Sequence, residues 1–141
     1  LQGTLLATLA SAFGMPRTAL SLQRNAVRPL PMSSVRLLPS PWLQALESNR
    51  AYLHRLEPDR LLHDYRLQAG LAPRGERYGG WEKETIAGHS LGHYLSACAL
   101  MHAQTGDPEC RARAHYIVGE LRECQRAQQD GFLAAFTRRN E

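Results

Sequence analysis

Two histidines, His89 and His93, stand four residues apart in GHSLGHYLSACALMHAQT, residues 88–105. That spacing puts both imidazoles on one face of a helix. A pair at i and i+4 can bind zinc, as in the HExxH pattern. Here Ser-Leu-Gly intervenes, the glutamate is absent, and His115 offers no evident geometry as a third ligand, whereas a catalytic zinc usually takes three protein ligands. Hydrogen bonding of a substrate by neutral imidazoles is the better reading. A pair of core histidines satisfied by backbone carbonyls competes with it. No metal ligand is assigned to this chain, and His54, His63 and His102 carry no distinctive pattern.

The segment just upstream, LAPRGERYGGWEKETIA at 71–87, reads as a long loop with Gly75, Gly79 and Gly80. Long loops without structure of their own are often functional. This one carries Tyr78, Trp81 and Glu82, the combination a sugar site uses. An aromatic face packs on a sugar's C–H surface, and a carboxylate accepts hydrogen bonds from its hydroxyls. The plainer alternative has Trp81 plugging the core beneath the loop and Glu82 in solvent. No nucleophile motif is present: there is no GxSxG, Walker loop or GxGxxG, so no catalytic residue is assigned. A glycosidase carboxylate pair is defined by distance in space, so spacing along the chain cannot pick one out. Cys98, Cys110 and Cys124 form no CxxC pair, and an odd number fits a disulfide framework poorly. Cys98 and Cys124 read as small buried hydrophobes.

The elements that must position these side chains are helical. Ser40-Pro41 starts a helix, Ser as N-cap and Pro at the first helical position. Trp42, Leu43, Leu46, Leu53 and Leu56 continue it over 41–55, after a short extended run at 34–38. Pro58 interrupts this helix and opens another segment that Gly70 ends. In 88–105, Leu91, Tyr94, Leu95, Cys98, Ala99 and His102 share one face, and His89, His93, Ser96 and Leu100 share the other. No charged residue falls between Thr85 and Gly106, which predicts a helix buried on both sides. Gly106-Asp107-Pro108 is a turn. Residues 109–126 follow as an amphipathic helix with Ala114, Ile117, Val118, Leu121 and Cys124 on its apolar stripe. An uncharged inner helix joined by a tight turn to an amphipathic outer one is the unit of an alpha/alpha barrel. One such pair cannot bury its own inner face, so the pattern points to a piece of a larger fold.

The chain has 141 residues and a net charge of +4. Residues 1–40 hold four arginines and no acid, while the thirteen basic and thirteen acidic residues of the remainder cancel. A nucleic-acid-binding body would carry a basic patch or stripe, and none is seen, so no nucleic-acid partner is expected. No apolar run approaches the roughly 20 residues of a membrane helix, and no membrane partner is expected. GTLLATLASAFG at 3–14 is a short apolar stretch ending in Ala10-Ser11-Ala12, the shape of a secretory signal, although no charged n-region precedes it. An organelle transit peptide or a disordered tail are the alternatives. Residues 1–33 are read as this leader plus a Pro-containing linker, and the protein is expected to be secreted or periplasmic.

From about Val35 to Arg139 the chain resembles the N-terminal segment of glycoside hydrolase family 127, the beta-L-arabinofuranosidase family. The stretches that carry the resemblance are VRLLPSPW at 35–42, LEPDRLLHDYRLQAGL at 56–71, YGGWEKETIAGHSLGHYLSA at 78–97, and ELRECQ with DGF within 120–132. The resemblance implies an all-α fold, the N-terminal helices of an (alpha/alpha)6 barrel over 34–141. It implies a retaining hydrolase that releases L-arabinofuranose or a related sugar from glycans. It also implies a cysteine nucleophile, a zinc ion held by cysteines and a glutamate, and a separate glutamate acid/base, all in later parts of the family's chain. No cofactor is therefore expected in this segment, although zinc is expected in a full-length family enzyme. Tyr78, Trp81, Glu82, His89 and His93 match the family's YGGWE and GHxxGH block and are expected to bind the carbohydrate. The segment is expected to be inactive alone. The alternative is a non-catalytic carbohydrate-binding or scaffold protein.

Overall fold

Ser40 begins the first long helix as its spacing predicts: its hydroxyl accepts a hydrogen bond from the Leu43 amide at 3.3 Å, and Pro41 takes the first helical position. In a computed structural model that describes residues 27–83 and 86–137, this helix, α1, runs Pro41–Arg55. Pro58 then opens α2, Pro58–Leu61, and after Leu62 the chain continues as α3, His63–Gln68. The expected single segment is thus two short helices, and Gly70 follows with a left-handed φ of +72°. The two long helices are α4, His89–Thr105, and α5, Pro108–Ala127. Met32–Ser34 and Gly80–Lys83 form 3-10 turns, and no β-strand occurs among the described residues. The fold is all-α. Of the leader and linker expected at 1–33, residues 1–26 lie outside the described residues. No helix among those described is long and apolar enough to cross a membrane.

α4 and α5 form a helical hairpin; α1 packs against both, α2 against α4 and α3 against α5. Gly106 ends α4 with φ +76°, and Asp107 caps α5, its carboxylate accepting from the Cys110 amide at 2.8 Å. The core is built from Leu53, Leu61, Leu62, Leu91, Tyr94, Cys98, Met101, Cys110 and Ile117. All three cysteines are fully buried and free, as expected of Cys98 and Cys124 and now also of Cys110.

α4 departs from expectation. Leu91, Tyr94 and Cys98 are buried on one side, but His89, Gly92, His93, Ser96 and Leu100 are exposed on the other, Leu100 by 55%. The uncharged sequence predicts burial on both faces, and this chain supplies an apolar partner for one. The long loop is also more ordered than its glycines suggest. Arg66 Nε donates to the Ala72 carbonyl, His63 Nδ1 to the Gly75 carbonyl, and Arg60 Nε to the Glu76 carbonyl, all within 2.9 Å. Three side chains of α2 and α3 thereby hold consecutive stretches of the loop backbone.

Candidate functional site

The start of α4 is where the expected site residues gather. Helix N-termini leave backbone amides without intrahelical acceptors. Ordinary capping uses a side chain at the N-cap, but here that position is Gly88, at φ +86°. Glu82 reaches across instead. Its Oε2 accepts from the Gly88 amide and its Oε1 from the Ser90 amide, each at 2.8 Å. The carboxylate is only 8% exposed. Burial by itself would raise its pKa, but the Ser90 and Gly88 donors and the nearby His89 outweigh it and hold it below the usual carboxylate range. Glu82 is therefore not a solvated loop acid. It is an anion seated at the positive end of α4.

Gly88 cannot be another residue without strain. A Cβ there would lie 2.6 Å from Ala135 Cβ and 2.8 Å from the Tyr65 ring. Tyr65 Oη in turn donates to the Gly88 carbonyl at 3.3 Å.

Tyr78 is half-buried, with its hydroxyl accepting from the Glu57 amide at 3.0 Å and the Arg60 guanidinium 4.0 Å from its ring centroid. Tyr78 and Glu82 line one pocket of about 230 Å³, together with Tyr52, Leu56, Ser90 and Tyr94. Burial pushes the Tyr94 hydroxyl up to about 12, against the pull of Arg113, so it is a neutral donor and acceptor in that wall. His89 lines a second, adjoining hollow with Tyr65, Ile86 and Phe136.

The two histidines are neither core residues nor bonded to backbone carbonyls. Both are exposed, their Nε2 atoms are 3.1 Å apart, and the rings meet edge to face with centroids 4.6 Å apart. One ring donates to the other through this Nε2–Nε2 contact. Backbone-satisfied histidines do occur elsewhere: His63 on Gly75, and His102 on the Asp107 carbonyl at 2.9 Å. Trp81 lies in the 3-10 turn, and its side chain is outside the described residues. Tyr78, Glu82, His89 and His93 thus lie around one helix start, with Tyr78 and Glu82 lining one hollow and His89 the other.

A side-chain cluster that sequence reasoning passed over lies at the other end of the hairpin. His54, Asp107 and Cys110 bring their donor atoms within 4.8 Å of one another and could hold a metal ion. His54 belongs to α1, Asp107 caps α5 and Cys110 lies in its first turn, so the only local signal was Asp107 at an N-cap with Cys110 three residues on. The donors expected for the family's zinc, cysteines plus a glutamate, do not fit the residues here. Glu82 uses both oxygens on backbone amides and is not available as that glutamate. Separately, burial raises the thiols of Cys98, Cys110 and Cys124 while they are free, Cys110 to about 12. None is poised as a thiolate nucleophile.

The search of curated proteins returned no match for this chain. The family model described as "Beta-L-arabinofuranosidase, GH127 catalytic domain" matches residues 34–141, well over half the chain and the whole of the site just described. The chain therefore belongs to the beta-L-arabinofuranosidase family, glycoside hydrolase family 127, through its catalytic domain.

Proposed function

We propose that this chain is the N-terminal helical part of a retaining glycoside hydrolase barrel that releases L-arabinofuranose, or a closely related sugar, from exported glycans. In this reading α4 is an inner helix of the barrel. Its His89–His93 edge and the Tyr78–Glu82 loop bind carbohydrate, and the bond-breaking groups are supplied from outside this segment. Secretion or export to the periplasm fits a glycan substrate.

The observation that carries the reading is the open face of α4. It is uncharged, it presents two paired imidazoles and Leu100 to solvent, and it starts where a buried carboxylate fastens the aromatic loop. A helix face without charge is unusual on a free surface and ordinary inside a larger barrel. Hydrolysis of p-nitrophenyl L-arabinofuranoside, measured for the 141-residue chain beside a full-length homologue, tests it. Activity in the homologue alone is expected. Activity in the short chain would mean that a nucleophile lies among its own residues. In the homologue, His89→Ala and Trp81→Ala should lower kcat/KM at least tenfold. Unchanged kcat/KM with reduced stability would make both residues structural.

A further inference from the structure

We infer that His54, Asp107 and Cys110 form a binding site for one divalent cation of the zinc class, separate from the carbohydrate face. His54 Nε2 lies 3.1 Å from Asp107 Oδ2 and 3.7 Å from Cys110 Sγ. Zinc bonds of about 2.0 Å to nitrogen or oxygen and 2.3 Å to sulfur set neighbouring tetrahedral ligands about 3.3–3.6 Å apart. These two separations bracket that edge length, and the third, from Asp107 to Cys110, is within 4.8 Å, so rotation of the side chains would complete the set around an ion.

The connectivity excludes the obvious competitor. In a Cys-His-Asp catalytic relay the acid holds one ring nitrogen and the thiol uses the other. Here carboxylate and thiol both address Nε2, the arrangement of donors around a common centre. Imidazole, carboxylate and thiolate together suit zinc over magnesium or calcium, which prefer oxygen alone. The site is also built. The Asp107 side chain is 3% exposed and Cys110 fully buried, while His54, at 29%, leaves an entry from solvent. Asp107 Oδ1 is fixed by the Cys110 amide, which leaves Oδ2 to face the site. Arg50 Nη1, 3.6 Å from Oδ2, covers the outer side and is exposed enough to swing away. These donors lie on α1, at the N-cap of α5 and in its first turn, and are not the cysteine-plus-glutamate set expected of the family's zinc.

Cobalt(II) titration of the reduced full chain tests this, because cobalt reports thiolate ligation by a near-ultraviolet charge-transfer band and tetrahedral geometry by its visible bands. One equivalent should bind, and zinc should displace it. Cys110→Ser should remove the charge-transfer band. His54→Gln, at a partly exposed position, should weaken binding at least tenfold while circular dichroism shows the helices intact. Cys124→Ser, buried away from the cluster, should change nothing. A wild-type chain with no charge-transfer band would overturn the site and leave a His54–Asp107 ion pair with a thiol beside it. So would a band that survives Cys110→Ser, is lost in Cys124→Ser, or persists in urea.

Discussion

Glu82 binds two amides six and eight residues further on, one on each side of His89. Glu82→Gln keeps one acceptor oxygen but loses the charge at the helix terminus, and should cost about 1–2 kcal/mol in urea unfolding. The same group sets an acid response. Because its folded pKa is depressed, its contribution is complete above the unfolded carboxylate pKa of about 4.3 and fades as pH falls through the lower folded value. Asp107 is depressed in the same direction: burial opposes this, and the Cys110 amide and His54 prevail. Urea midpoints measured from pH 7 to pH 3 should therefore fall below about pH 4.5, more shallowly in Glu82→Gln than in the wild type. Gly88→Ala combines a left-handed backbone with a Cβ 2.6 Å from Ala135, and should destabilise by about 2–4 kcal/mol. At this scale the sequence was partly legible. The i, i+4 spacing put His89 and His93 together, and Tyr78 and Glu82 do share a pocket. That Glu82 caps a helix was hidden, because the loop's path decides which amides it meets.

Among the elements, Arg113 is the joint. Its guanidinium donates to the carbonyls of Leu53, His54 and Leu56 at the end of α1, and to the Tyr94 hydroxyl on α4. One planar cation from α5 therefore satisfies the C-terminal carbonyls of another helix. Arg113→Lys retains the charge and loses the fork. Thermal or urea unfolding should show a loss of about 1.5–3 kcal/mol, with Tyr94→Phe changing it less. Helix boundaries were readable where a local signal exists: Ser40-Pro41, Gly106 and Asp107-Pro108 each act within a turn of their own position. The break at Leu62 carries no glycine or proline, and the inward turn of Arg113 from a face that reads as polar depends on α1 lying opposite. Neither has a local cause, so neither could be read along the chain.

Across the molecule, Glu120 joins α5 to α3 and to the loop through ion pairs with Arg66 and Arg74. Arg66 and Glu120 are both buried, so removing one partner strands the other. Glu120→Leu should cost about 3–5 kcal/mol, and adding Arg66→Met should recover most of it, as a double-mutant cycle in urea would show. The all-α class and the helical hairpin follow from periodicity. The open side of α4 does not, since an uncharged sequence states that a face should be covered without stating by what. The loop that precedes α4 has a further consequence. Its backbone is held by Arg60, His63 and Arg66, and it is fastened at Tyr78 by the Glu57 amide and at Glu82 by the helix start. Its conformational entropy is therefore surrendered when the chain folds and not when a ligand arrives. A ligand that docked against Tyr78 would meet a preorganised wall, and its affinity would be set by the contacts made there with little penalty for ordering the protein.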